Sequence, residues 1–155
     1  MMDLDRVNAY LARVEESETK TFRPVGQKLK TGVDLGTAYI VLVVLDEENN
    51  PVACEKQAAQ VLRDGVVVDY TGALRIVREL KQKLEERLGT ELVNCAIAMP
   101  AGTESSARTH QYVAEGAGFE VTDILDEPSA ANAIYQIENG VVVDIGGGTT
   151  GLAML

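Results

Sequence analysis

The stretch Val141-Val-Val-Asp144-Ile-Gly146-Gly147-Gly148-Thr149-Thr150-Gly151-Leu-Ala153 decides how this chain is read. An apolar run ends in an acid, and three glycines and two threonines follow. Glycine admits φ > 0 and lets the backbone come close to a ligand. Successive backbone N–H groups in such a turn form a concave anion site. Asp144 sits where a bare phosphate would be repelled, so the pattern makes sense with a divalent cation between carboxylate and phosphate. The pattern occurs a second time near the start, as Gly32-Val-Asp34-Leu-Gly36-Thr37, followed by the apolar run Tyr39 to Leu45. Two Asp-x-Gly hairpins, each beside an apolar strand, read as two halves of one metal–nucleotide site.

Two other readings compete. Gly146, Gly148 and Gly151 fit the dinucleotide fingerprint G-x-G-x-x-G, which requires a helix immediately after the turn. Thr149 to Leu155 is poor helix-start chemistry, and Asp144 would oppose an unmetallated pyrophosphate. The other reading takes both segments as ordinary β-hairpins with glycine turns. One copy leaves that reading open, and two copies weigh against it.

The 155 residues suffice for one domain with its own core. A net charge of −10 argues against a nucleic-acid groove or an anionic membrane as the main partner. It does not argue against ATP, because a metal and backbone dipoles can hold phosphates in an acidic protein. Cys54 and Cys95 lie in apolar contexts without metal-ligand spacing, and read as buried free thiols in a reducing compartment. There is no apolar stretch of membrane-spanning length and no basic-then-apolar leader, so the expected location is cytoplasmic.

Along the chain, residues 3–18 show helical periodicity through Leu4, Val7, Leu11 and Val14. Residues 19–30 hold Pro24, Gly26 and several lysines, and read as a linker. Strands are expected over 31–34, 38–45 and 52–60, and a turn at Arg63-Asp64-Gly65. A helix over 73–88 buries Val77, Leu80, Leu84 and Leu88, solvates Arg78, Lys81, Gln82 and Glu85, and ends at Gly89. A strand over 91–99 stops at Pro100. Thr103 or Ser105 is expected to cap a helix running to about Gly116. A strand follows over 119–125, and then a helix with Pro128 in its first turn, ending at Gly140. His110 reads as a lone histidine on a polar helix. This order predicts an α/β fold, a mixed sheet with flanking helices and an antiparallel edge.

These residues resemble the actin-like ATPases, which include heat-shock chaperones, sugar kinases and bacterial actins. Asp34-Leu-Gly-Thr37 resembles the family's first phosphate motif and Asp144-Ile-Gly-Gly-Gly-Thr149 its second. Glu127-Pro-Ser-Ala-Ala-Asn132 resembles its connecting motif, and Ala96-Ile-Ala-Met-Pro100 the segment before the first interdomain connection. The order and spacing match from about residue 31 to the end. Within the superfamily, Val61-Leu-Arg-Asp-Gly-Val-Val-Val-Asp-Tyr70 and Asp126-Glu-Pro-Ser-Ala130 are similar to chaperone-like members encoded with ethanolamine-utilisation enzymes and microcompartment shell proteins.

The resemblance implies a ribonuclease-H-like, actin-like lobe, with residues 1–30 as an amphipathic helix and linker, 31–139 as the first lobe and 140–155 as the opening hairpin of a second. It implies ATP and Mg²⁺ as cofactors. Asp34 and Asp144 would hold the metal through its water shell, and Glu127 would orient the attacking water. Gly36, Thr37, Gly146, Gly147, Gly148 and Thr149 would hold phosphates. By itself, Glu127 also reads as a carboxylate favoured at a helix N-terminus. The family's adenosine motif has no counterpart in these residues, so the chain is expected to be an incomplete and inactive ATPase. Lys56 is the sole lysine near the position of the chaperones' catalytic lysine, and its spacing does not assign it that role. The implied function is a chaperone-like ATP-binding protein of ethanolamine utilisation, acting on enzymes or shell proteins of the microcompartment. A scaffold of the bacterial-actin type is the alternative. Self-association through residues 140–155 is expected from their apolar strands.

Overall fold

The computed structural model describes residues 2–155. Its centre is a five-stranded sheet in the order β3-β2-β1-β6-β7. The strands are β1 (Lys30–Leu35), β2 (Tyr39–Leu45), β3 (Pro51–Ala58), β6 (Asn94–Met99) and β7 (Glu120–Asp126). β1, β2 and β3 run antiparallel, whereas β1, β6 and β7 run parallel. Between β3 and β6 lie the small hairpin β4 (Leu62–Arg63) and β5 (Val66–Val67) and the helix α2 (Tyr70–Leu88). The helix α3 (Ala107–Gly116) precedes β7 and α4 (Glu127–Tyr135) follows it. The strands β8 (Val141–Ile145) and β9 (Thr150–Met154) form a separate antiparallel ribbon.

Period-2 alternation in β1 and β2 turns Val33, Leu35, Ile40, Leu42 and Val44 to one face, where they are buried. The helices α2 and α3 cover that face with Ile76, Val77, Leu80, Leu84, Val113 and Ala114. The other face is partly covered by the helix α1 (Leu4–Glu16) and by α4. In α1 the heptad-like stripe is only half used. Val7 is buried, whereas Leu4 and Leu11 stay exposed.

Several local expectations are corrected by packing. Residues 19–30 are not a free linker: Phe22 N–H donates to Val52 O, Val25 N–H to Asp46, and Gln27 and Lys28 N–H to Glu47. The Arg87 guanidinium donates to Ser17 O (2.6 Å), Cys54 O (2.8 Å) and Thr21 Oγ1 (3.0 Å), tying this segment to β3 and α2. Lys81 is buried, not solvated. Its ammonium pairs with Glu85 at 3.1 Å and lies over the Phe119 ring. The helix α2 starts three residues before the periodicity suggested, because the Asp69 side chain accepts from Gly72 N–H. Neither Thr103 nor Ser105 caps α3. Thr103 Oγ1 turns back to Pro100 O, and a short 3₁₀ turn, Glu104–Ser106, leads into the helix. The helix α4 ends at Tyr135 with Gln136 in the left-handed region (φ 57°), well before Gly140. His110 is fully buried, its Nε2 3.1 Å from Gly65 O, where it fastens α3 to the β4–β5 turn.

Cys54 and Cys95 are buried free thiols, and burial pushes them up to about 11 and about 12. In β7 the register against β6 shifts between Cys95 and Ala96, so that Thr122 is the extra residue and its hydroxyl donates to Cys95 O.

The β2–β3 turn depends on Asp46, a fully buried carboxylate. Burial works against its charge. Hydrogen bonds from the N–H groups of Val25, Asn50 and Glu48 and from the Asn50 amide outweigh this and hold its carboxyl below the ordinary value. Asp46→Ala leaves three N–H groups without their acceptor. It is expected to lower the unfolding free energy by on the order of 3 kcal/mol, read from urea denaturation.

Candidate functional site

The turn joining β1 to β2 closes with Gly36 N–H donating to Tyr39 O at 2.9 Å. The turn joining β8 to β9 closes the same way, from Gly146 N–H to Thr149 O at 2.9 Å. The two tips meet. A Cβ on Gly148 would lie 2.7 Å from the Thr37 methyl, and one on Gly147 would lie 3.1 Å from the Ala38 Cβ. A Cβ on Gly36 would lie 2.6 Å from Tyr39 O. The glycines are therefore required by close approach. None of the five hairpin glycines, Gly36, Gly146, Gly147, Gly148 and Gly151, adopts positive φ, which corrects the first expectation for this motif. Gly151 serves the same purpose on the other side, since its absent Cβ would meet the Pro128 ring at 2.9 Å.

Three carboxylates converge here from three elements. Asp34 comes from β1, beside Val41 of β2 and Ala98 of β6. Asp144 comes from β8, opposite Gly151. Glu127 is the first residue of α4, directly after β7 ends at Asp126. All three line one cavity of about 630 Å³ together with Gly36, Thr37, Gly146, Gly147 and Thr149. Gly148 sits at the tip, against Thr37.

The electrostatics follow from this convergence. Asp34 is pushed up to about 6, first by burial and then by the charge of Asp144. Glu127 is raised well above the carboxylate range by burial, by a hydrogen bond with Asp144, and by the charges of Asp34 and Asp144. A hydrogen bond between two carboxyl groups needs one proton, which the pair shares. The helix dipole alone would lower Glu127, so the neighbouring acids and burial prevail. The N-cap role falls to Asp126, whose side chain accepts from Ser129 N–H at 3.0 Å. Asp34 Oδ1 is buried without a hydrogen-bond partner among the described residues.

This oxygen-only donor set, with one carboxylate oxygen unpaired, fits a hard divalent cation such as Mg²⁺. Among the described residues no three His, Cys, Asp or Glu groups cluster closely enough to enclose an ion directly. Asp34 and Asp144 would thus hold it through its water shell. Lys56 does not reach the site; it pairs with Glu18 at 3.2 Å and lies over the Tyr39 ring. Tyr10, Leu11 and Val14 of α1, and Ala130, Ala131 and Ile134 of α4, line the same cavity, which no local pattern of residues signals.

The raised carboxyls bind their protons more tightly in the folded state than in the unfolded chain. Their contribution to stability is full below pH 4. It is lost as pH rises, through about 6 for Asp34 and beyond that for Glu127. Asp34→Asn is expected to raise the melting temperature of the ligand-free protein at pH 8 by on the order of 2–4 °C, the response of a domain this size to about 1 kcal/mol. Near pH 4 the two proteins should differ little. Thermal scans at both pH values check this.

The sequence profile of the MreB/Mbl protein family matches residues 51–155. The ethanolamine utilization protein EutJ of Escherichia coli (strain K12) is 45% identical over 124 residues, covering 80% of this chain and 44% of EutJ. The chain thus spans about half the length of that relative. A chaperone protein HscA homolog of Burkholderia mallei is 36% identical over 98 residues, 59% of this chain and 16% of the relative. Among solved structures, EutJ of Carboxydothermus hydrogenoformans superposes with a TM-score of 0.89 at 47% identity, covering 96% of this chain and 56% of that one. MreB 5 of Spiroplasma citri, bound to AMPPNP, shares the fold at a TM-score of 0.60 and 22% identity, over 84% of this chain and 49% of that one. The two glycine hairpins, the mixed sheet and the family profile agree: the chain belongs to the MreB/Mbl family of the actin-like ATPase superfamily.

Proposed function

We propose that this chain is the phosphate-binding part of a chaperone-like ATP-binding protein of ethanolamine utilisation. The carrying observation is the meeting of two glycine hairpins around three carboxylates from β1, α4 and β8. The likeness to two EutJ proteins and to an HscA chaperone supports the biological setting, and the partners in this reading are microcompartment-associated enzymes or shell proteins.

The chemistry asked of the site is positioning and charge neutralisation, which phosphoryl transfer chiefly requires. The tip N–H groups other than those of Gly36 and Gly146, which close the turns, and the Thr37 and Thr149 hydroxyls would orient phosphate oxygens. The glycines leave room for that approach. Asp34 and Asp144 would hold Mg²⁺, which when bound would supply neutralisation of phosphate charge. Glu127, at the start of α4 beside Asp144, would orient the attacking water. The family profile favours a second reading, a nucleotide-dependent scaffold of the bacterial-actin type. Sedimentation of the longer relatives with ATP separates the two, since only a scaffold pellets as polymer.

Titration calorimetry of this chain with Mg·ATP tests the binding claim. The expected result is weak, Mg²⁺-dependent binding. Asp34→Ala and Asp144→Ala should weaken it at least tenfold, and Glu127→Ala should weaken it less, because Glu127 acts on water. Equal binding by parent and both aspartate variants, or binding indifferent to Mg²⁺, counts against the site.

Self-association through residues 140–155 belongs to the same proposal. Val141, Val143, Ile145, Leu152 and Met154 share one ribbon face and are between 52% and 87% exposed. The opposite face carries Val142, Asp144, Gly151 and Ala153, with Val142 buried. Light scattering over a concentration series is expected to show association that Leu152→Glu abolishes. A parent monomeric throughout removes this part of the proposal.

A further inference from the structure

The three carboxylates are divided between two bodies. Asp34 belongs to the five-stranded sheet. Glu127 and Asp144 belong to α4 and the β8–β9 ribbon, which pack on each other. Between these bodies lies the cavity of about 630 Å³, with Ala130, Ala131 and Ile134 of α4 on one wall and Leu11, Val41 and Val43 on another. Around the N-terminal end of α4 the bodies are joined by β7, by packing of α4 on β6 and β7, and by the contacts of Gly147 and Gly148 with Ala38 and Thr37. At the C-terminal end, the Arg6 guanidinium of α1 donates to Ile134 O at 2.6 Å. A second cleft, of about 520 Å³, is lined by Arg6 itself, Asp3 and the segment from Tyr135 to Asn139. Arg6 thus stands in one cleft and grips a residue, Ile134, that lines the other.

The rest of α1 is anchored on the sheet body. Tyr10 Oη donates to Asn49 O at 2.7 Å, Arg13 Nε donates to Pro51 O at 3.0 Å, and Val7 is buried. The first turn that carries Arg6 is itself fixed, since the Asp3 carboxylate accepts from Arg6 N–H at 3.0 Å. A guanidinium at the last turn of a helix meets carbonyls that lack intrahelical partners and the negative end of the dipole. The carboxylates at the other end of α4 act in the opposite sense, because like charges on the two bodies repel.

We propose that α1 is a strap across the two bodies, and that the hold of Arg6 on the Ile134 carbonyl limits how far the α4–ribbon body, with Glu127 and Asp144, opens from the sheet that carries Asp34. Arg6 is thus a positioning residue, remote from the chemistry. The strap concerns the separation of the two bodies and stands apart from whether the site binds nucleotide.

Spin labels at Lys83→Cys on α2 and Ala133→Cys on α4, both exposed positions, report that separation in the full chain. Cys54 and Cys95 are buried, which confines labelling to the introduced thiols. Pulsed dipolar spectroscopy is expected to give a narrow distance distribution in the parent, and a longer, broader one in Arg6→Ala. Arg6→Lys keeps a donor for the carbonyl and should restore most of the narrow distribution. Asp3→Ala, which frays the turn bearing Arg6, should broaden the distribution to a lesser degree, and it serves if Arg6→Ala fails to fold. An unchanged distribution in the folded alanine variants overturns the strap. So does a lysine variant as broad as the alanine one.

Discussion

Two β-turns more than a hundred residues apart touch because they carry no side chains where they meet. A methyl group at Gly148 would overlap the Thr37 side chain, and one at Gly147 would press on Ala38. This contact determines how far Asp34 and Asp144 stand from each other, since each lies two residues before the first glycine of its turn. Burial and, after it, that closeness raise the Asp34 carboxyl, and burial with the hydrogen bond to Asp144 raises Glu127. The glycines act here through absent volume, a demand as strict as any backbone angle.

Without a counter-charge the site is a concentration of like charge in a half-buried place. The fold tolerates it because the surrounding framework is strongly held elsewhere. Asp46 organises the β2–β3 turn, Arg87 gathers the segment after α1 onto β3, and the face shared with α2 and α3 is densely apolar. Stability in those places offsets an electrostatically unfavourable cluster of acids.

Much of this was legible in the sequence, and the reasons it was legible are physical. The paired Asp-x-Gly motifs identified both hairpins and two of the carboxylates, Asp34 and Asp144, whereas Glu127 was reached only through the resemblance of Glu127-Pro-Ser-Ala-Ala-Asn132 to a connecting motif. The apolar run from Tyr39 to Leu45 marked β2 as a strand, but being apolar on both sides it left the choice of core face to packing. What escaped was set by tertiary contact. Lys81 reads as a solvated charge by helical position, and only the Phe119 ring and Glu85 explain its burial. The Asp69 cap extends α2 through Tyr70-Thr71-Gly72, which propensity alone rejects. The role of α1 was invisible because its partner carbonyl, Ile134 O, is far away in sequence and its own stripe is only partly buried. The hairpin glycines were rightly identified but for the wrong conformational reason.

The extra residue in β7 carries a meaning of its own. Val121 and Ile124 both pack on the core although they are three positions apart, an arrangement that strict alternation forbids and the extra Thr122 permits. The bulge therefore uncouples the phase of the strand's first half, set by α3, from that of its second half, which delivers Glu127. A change in the length of the α3 connection would thus be absorbed at Thr122, while the acid downstream kept its place.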